Sequence, residues 1–112
     1  MKGAQNVAKY DKSARSLDMY RAILELKDID ECVRFFDDLC SPRELKSMEQ
    51  RFDVAVYLMQ DKVYTDIVET TGASSATVSR VRRNILDNEA GGAMRDVIDR
   101  LKLASTQDGT HS

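Results

Sequence analysis

The chain has 112 residues, 42% hydrophobic and 32% charged, with a formal net charge of −2; this fits one soluble globular domain and excludes a nucleic-acid binder that is basic throughout. No apolar run approaches the roughly 18 residues of a membrane span, and MKGAQNVAKYDK carries no apolar leader segment, so a cytoplasmic address with no membrane partner is expected. At this length a lone helical fold buries only about two thirds of the surface its unfolded chain exposes, and self-association would add core.

Strand signals are almost absent, with a single proline and no Asn-Gly or Asp-Gly turn, so the expected class is all-α. A flexible arm over residues 1–12 leads to a first amphipathic helix, from about Ser13 or Ser16 to Lys27, marked by the three-and-four spacing of Leu17, Tyr20, Ile23, Leu24 and Leu26. After a break at Asp28 to Asp30, Ile29, Val33, Phe36 and Leu39 continue as a second helix. SPRELKSMEQ is the clearest helix start: Ser41 is a capping residue, Pro42 has the φ of a first helical position, and Glu44 stands three after the cap. Leu45, Met48, Phe52, Ala55, Val56, Leu58 and Met59 carry that helix to about Met59 as the central core element, with Met48 and Met59 filling gaps in the core. Thr65 is expected to cap a short helix from Asp66 to Thr70, which Gly72 ends in the left-handed conformation. Ser74 caps the next, which runs to Ile85 or Leu86. Asp87 to Gly92, with Asn88 and the pair Gly91-Gly92, reads as a linker; Met94, Val97, Ile98 and Leu101 mark a last helix, and a disordered tail starts at Ser105.

Cys32 and Cys40 are the only cysteines, and on a helix they lie about 12 Å apart along the axis, too far to bridge. They read as free thiols in a reducing compartment. His111 is the single histidine and sits in the polar tail. A metal site therefore lacks ligands and a histidine-based triad lacks its base, so neither a catalytic residue, a metal nor another cofactor is expected, and the chain is not read as an enzyme.

The informative segment is GASSATVSRVRRNIL, residues 72–86. Two short helices joined by a tight turn need an aliphatic or small residue on the first, glycine in the turn, and aliphatic residues on the second that face back. Val68, Gly72, Val78 and Val81 meet this with offsets of −4, 0, +6 and +9 from the glycine, the spacing of a helix-turn-helix over about 65–86. At about 100° per residue from Val78, Val81 and Ile85 fall near 300° and 340°, whereas Ala76, Arg83, Ser79 and Arg80 fall near 160°, 140°, 100° and 200°. One face docks on the preceding helix. The opposite face offers a methyl, a hydroxyl and two guanidinium groups, a set suited to base edges in a major groove. Ser74, Ser75 and Thr77 at the helix N-terminus and Arg82 near 40°, toward the apolar flank, are candidates for phosphate contact. Residues 29–66 carry nine acidic and five basic side chains, whereas residues 67–86 set Arg80, Arg82 and Arg83 against Glu69 alone. The positive charge is local.

SPRELKSMEQRF and GASSATVSRV resemble the central helix and the turn with recognition helix of the Trp repressor superfamily, most of all its Trp repressor-related YerC/YecD group. The resemblance covers roughly residues 13–103. It implies a six-helix subunit, an intertwined homodimer formed by the terminal helices, and a helix-turn-helix from each subunit in successive major grooves of a palindromic operator. Residues 13–104 would then form one DNA-binding and dimerisation domain. In the Trp repressor an indole effector lies between two arginines, whose positions match Arg51 and Arg80 here. The pattern has a glycine after the second arginine; Val81 stands there and would crowd that slot. The reading is thus a homodimeric, sequence-specific regulator of transcription, a repressor, whose partner is double-stranded DNA. Two alternatives stay open: a helical interaction module that binds an acidic protein and never DNA, and a repressor that takes an amino-acid effector between Arg51 and Arg80.

Overall fold

A computed structural model describes residues 12–87 and 92–104. Most of the expected arm, linker and tail falls in residues 1–11, 88–91 and 105–112, outside the described residues. The described residues contain no strand and form six α-helices: α1 (Asp18–Leu24), α2 (Ile29–Leu39), α3 (Pro42–Met59), α4 (Tyr64–Thr71), α5 (Ser75–Arg82) and α6 (Ala93–Leu101). A 3-10 turn at Lys12–Ala14 precedes α1, and a π turn at Arg83–Asp87 continues α5. The all-α expectation is met. None of these helices is long and apolar enough to cross a membrane. By its internal contacts the chain divides into two units, Met1–Pro42 and Arg43–Ser112.

In the first unit α1 ends at Leu24, short of the expected Lys27. Its last turn tightens, with the amides of Glu25 and Leu26 donating to the carbonyls of Ala22 and Ile23 at 3.0 and 3.2 Å. The next helix then imposes its own start. Asp28 is extended, and its carboxylate accepts the Glu31 amide at 2.8 Å; the Glu31 carboxylate in turn accepts the Lys27 amide at 2.9 Å. This reciprocal pair is a capping box displaced by one residue, so the break falls at Glu25 to Asp28 and not at Asp28 to Asp30. On α2, Phe35 and Phe36 meet edge to face with ring centroids 5.4 Å apart. No residue of α1 or α2 is buried, and Leu24 and Ile29 remain 83% and 81% exposed.

The second unit holds a core of Val54 and Ala55 on α3, Ile67 on α4, Ala73 in the turn, Val78 and Val81 on α5, Ile85 in the π turn and Ile98 on α6. Every helix of this unit contributes to the cluster. α3 ends at Met59 as expected, through a turn in which the Lys62 amide donates to the Tyr57 carbonyl at 3.0 Å and the Asp61 amide to Leu58 at 3.1 Å. This is a Schellman motif with an aspartate, at φ 60°, in glycine's usual place. The chain leaves it extended at Val63, whose carbonyl accepts the Ile67 amide at 3.1 Å. α4 therefore begins at Tyr64, and Thr65 lies inside the helix instead of capping it.

Gly72 ends α4 at φ 74°, its amide bonded to the Val68 carbonyl at 2.8 Å. The Thr71 hydroxyl donates to the Ile67 carbonyl at 2.7 Å and accepts the Ala73 amide at 3.1 Å, while Gln50 of α3 donates to the Thr71 carbonyl at 3.1 Å. A Cβ at Gly72 would meet Gln50 Nε2 at 3.8 Å, an ordinary contact, so conformation and not space restricts the position. Gly72→Ala should lower stability by about 1–2 kcal/mol, the cost of a left-handed residue with a side chain. Ile98→Ala removes a fully buried side chain and should cost about 2–5 kcal/mol. Urea unfolding followed by circular dichroism measures both, and the glycine variant should show the smaller loss.

Candidate nucleic-acid interface

α4 and α5 are joined by Gly72, Ala73 and Ser74, the short glycine-containing connection of a helix-turn-helix. The four spacing residues do what the turn requires. Val78 and Val81 are buried, Val68 packs against the same cluster, and Gly72 supplies the left-handed turn. Val81, at 1% exposed, is part of the core. It belongs there because it shares a face with Val78 and Ile85.

Ser74 is the N-cap of α5. It is extended at φ −76° and ψ 163°, and its Oγ accepts the Thr77 amide at 3.1 Å while donating to Thr77 Oγ1, also at 3.1 Å. The Ser74 hydroxyl proton is therefore committed to the cap, whereas Thr77, half-buried, keeps its own. Ser75 is exposed in the first turn, and no acidic residue stands in that turn to compete for an anion. Free amides and the positive end of the helix dipole make this terminus receptive to negative charge.

Ala76, Ser79, Arg80, Arg82 and Arg83 are all exposed. Arg83 still has helical backbone angles, φ −60° and ψ −42°, so it continues the α5 surface before the chain widens into the π turn. Past Arg83, Asn84 is half-buried, Ile85 returns to the core and Leu86 is half exposed. Within the described residues no hydrogen bond or ion pair engages Arg80, Arg82 or Arg83, while the arginines of α1 and α2 pair with carboxylates at Asp18 and Asp30. Among the described residues, these three cations in four positions have no counterion. A chain with more acidic than basic residues has carboxylates to offer, so the lack of pairing leaves this surface available to an external anion.

Arg51 is half-buried on α3, and its Nη1 donates to Ser47 Oγ one turn back at 2.9 Å. A pocket of about 220 Å³ in this unit is lined by Tyr57, Lys62, Asp66, Ile67 and Thr70, so neither Arg51 nor Arg80 belongs to it. Two positions that sequence reading did not single out support the hairpin. Gln50 fixes the turn through the Thr71 carbonyl, and Arg95 on α6 donates to the Ile85 carbonyl. Gln50 acts on a partner 21 residues away, a separation that carries no local pattern. Arg95 left one trace, a cation in the first turn of a helix, where the dipole disfavours it.

The Trp repressor protein family model matches residues 15–102. The uncharacterized protein YerC of Bacillus subtilis is 42% identical over 92 residues, spanning 82% of this chain and 86% of that protein. Among solved structures, a candidate Trp repressor from Staphylococcus aureus superposes with a TM-score of 0.74 at 38% identity, over 87% of this chain and 94% of the other. A TrpR-like protein from Eubacterium eligens gives 0.73 at 42% identity, over 84% and 94%. With the family model spanning both helices of the hairpin and the central helix before them, the chain belongs to the Trp repressor family.

Proposed function

We propose that the chain is a sequence-specific DNA-binding regulator of transcription that acts as a homodimer, as a repressor, on a palindromic operator. The observation that carries this reading is the outer face of α5, where Ala76, Ser79, Arg80 and Arg83 are exposed together while Val78 and Val81 hold the inner face in the core. Arginine forks bond guanine bidentately, serine bonds either kind of base edge, and an alanine methyl contacts thymine, so this face has the chemistry of direct readout. Ser75, the Thr77 hydroxyl, the backbone amides behind Ser74, and Arg82 would take phosphates and set the register. Homodimerisation accounts for α1 and α2, whose apolar residues Leu24, Ile29, Val33 and Leu39 remain exposed and which a second copy would cover. Two such subunits would present their α5 helices to half-sites about one helical turn apart.

An effector between Arg51 and Arg80 has less support, because Arg51 is engaged by Ser47 and Val81 is committed to the core. Titration calorimetry with amino acids should show no heat beyond dilution; saturable binding that Arg51→Ala abolishes would restore that reading.

The reading is tested first by selecting bound sequences from a random DNA pool, which should return a two-fold symmetric site. Against that site, Arg80→Ala and Arg83→Ala should each weaken binding by about 1–3 kcal/mol and relax the preference at one position per half-site. About three cations from each of two subunits, at about 0.9 per neutralised phosphate, give a slope of log K against log salt on the order of −5. A slope near zero, or a pool that yields no enriched sequence while an acidic polypeptide is bound, would replace DNA by an acidic protein partner. Sedimentation at micromolar concentration should give a dimer, and a folded monomer would remove the two-fold operator.

A further inference from the structure

We propose that Arg95, at the start of α6, is a positioning residue that fixes the C-terminal end of the recognition helix α5. Two features of that helix create the need. α5 has no left-handed glycine to end it: Arg83 follows in helical conformation, and the chain widens into the π turn Arg83–Asp87. The last four carbonyls of a helix have no partner in its own ladder, and Ile85 lies in this final turn. Its carbonyl accepts the guanidinium Nη2 of Arg95. The side chain of Ile85 is meanwhile buried in the cluster that also holds Val78, Val81 and Ile98, so both halves of the residue are held.

The location of Arg95 is informative in itself. A cation in the first turn of a helix faces the positive end of that helix's dipole, which is unfavourable. Here the same guanidinium reaches the negative, C-terminal end of the preceding helix, where a cation is favoured. The unfavourable placement on α6 is thereby offset by a bond to α5. At its other end α6 is tied to the end of α3: Lys102 closes it at φ 61°, the Leu103 amide donates to the Ile98 carbonyl at 3.2 Å, and Gln60, the residue after α3, donates to the Leu103 carbonyl at 2.8 Å. α6 is thus a strut anchored on the central helix and holding the far end of α5. Arg83 stands at the junction that Arg95 steadies, and a guanidinium must be held within a few tenths of an ångström to make a bidentate base contact.

The consequence for DNA rests on the reading given above, so the test has one arm that is independent of it. Amide hydrogen exchange of the free protein should speed up at least tenfold over residues 84–87 in Arg95→Met, with the core amides of Val54 and Ala55 unchanged, and Arg95→Lys should restore part of the protection. Unchanged exchange at 84–87, or an equal rise at Val54 and Ala55, would overturn the positioning role. In the second arm, Arg95→Met should weaken binding to the selected operator about tenfold with the same salt slope. A slope that falls by about 2 for the dimer would make Arg95 a phosphate contact instead. Should the wild-type chain bind no DNA, the exchange arm still decides the role of Arg95, while the DNA reading fails separately.

Discussion

The constraint on which the rest depends is that α5 and the π turn after it have to bury Val78, Val81 and Ile85 in one small cluster while keeping Arg80, Arg82 and Arg83 in water. Gly72 makes this possible by reversing the chain within three residues, so that Ala73 enters the core directly after the left-handed position. A residue with a side chain would resist that conformation, and a longer turn would release the register between Ile67 and Val78. The surrounding hydrogen bonds all serve the same reversal. Thr71 folds its hydroxyl back on α4 and holds the Ala73 amide, Gln50 pins the Thr71 carbonyl from α3, and Ser74 closes the first turn of α5. Burying the valines orients Arg80 and Arg83, which stand on the opposite face, and leaves Arg82 at the apolar flank.

Much of this was legible from sequence because it depends on local rules. The start of α3 at Pro42 and its end at Met59, the glycine that terminates α4, the Ser74 cap, and the inner and outer faces of α5 all follow from spacing and from residues with strong conformational preferences. The differences arise where an unusual residue fills a familiar role. Asp61 and Lys102 end α3 and α6 in the left-handed conformation that pattern reading assigns to glycine, and the turn at Asp61 moves the start of α4 ahead of Thr65. Asp28 and Glu31 form a capping pair whose return bond reaches Lys27 instead of the cap itself. The π turn after Arg82 has no signature in residue type. Gln50 and Arg95 act across distances at which sequence spacing carries no information.

The two units also differ in how far they satisfy themselves. Residues from Arg43 onward build an apolar cluster with fully buried side chains such as Val54, Ala55 and Ile98. The helices before Pro42 bury none, and yet α2 has a clearly apolar face. Leaving several large aliphatic side chains in water forgoes about 1.5–3 kcal/mol for each that could be fully buried. For a chain of this size that is a large share of a stability of about 5–15 kcal/mol. The apolar residues of α1 and α2 are thus better explained by a surface that another chain covers than by a solvated one, which agrees with the proposed homodimer.

Net charge bears on specificity as well as on binding. Binding to arbitrary DNA draws on phosphate electrostatics alone, and a chain of net charge −2 gains little from it beyond the few guanidinium groups on α5. A net negative charge works against long-range attraction to a polyanion, so approach has to rely on local positive charge. On the proposed reading, a cluster of three arginines in an otherwise acidic protein would limit non-specific affinity while leaving the base contacts intact. Because a genome offers roughly a million or more competing sites, the ratio of specific to non-specific affinity decides occupancy. On the proposed reading, the acidic composition that first argues against nucleic-acid binding raises that ratio, and the confinement of positive charge to one positioned helix is what permits it.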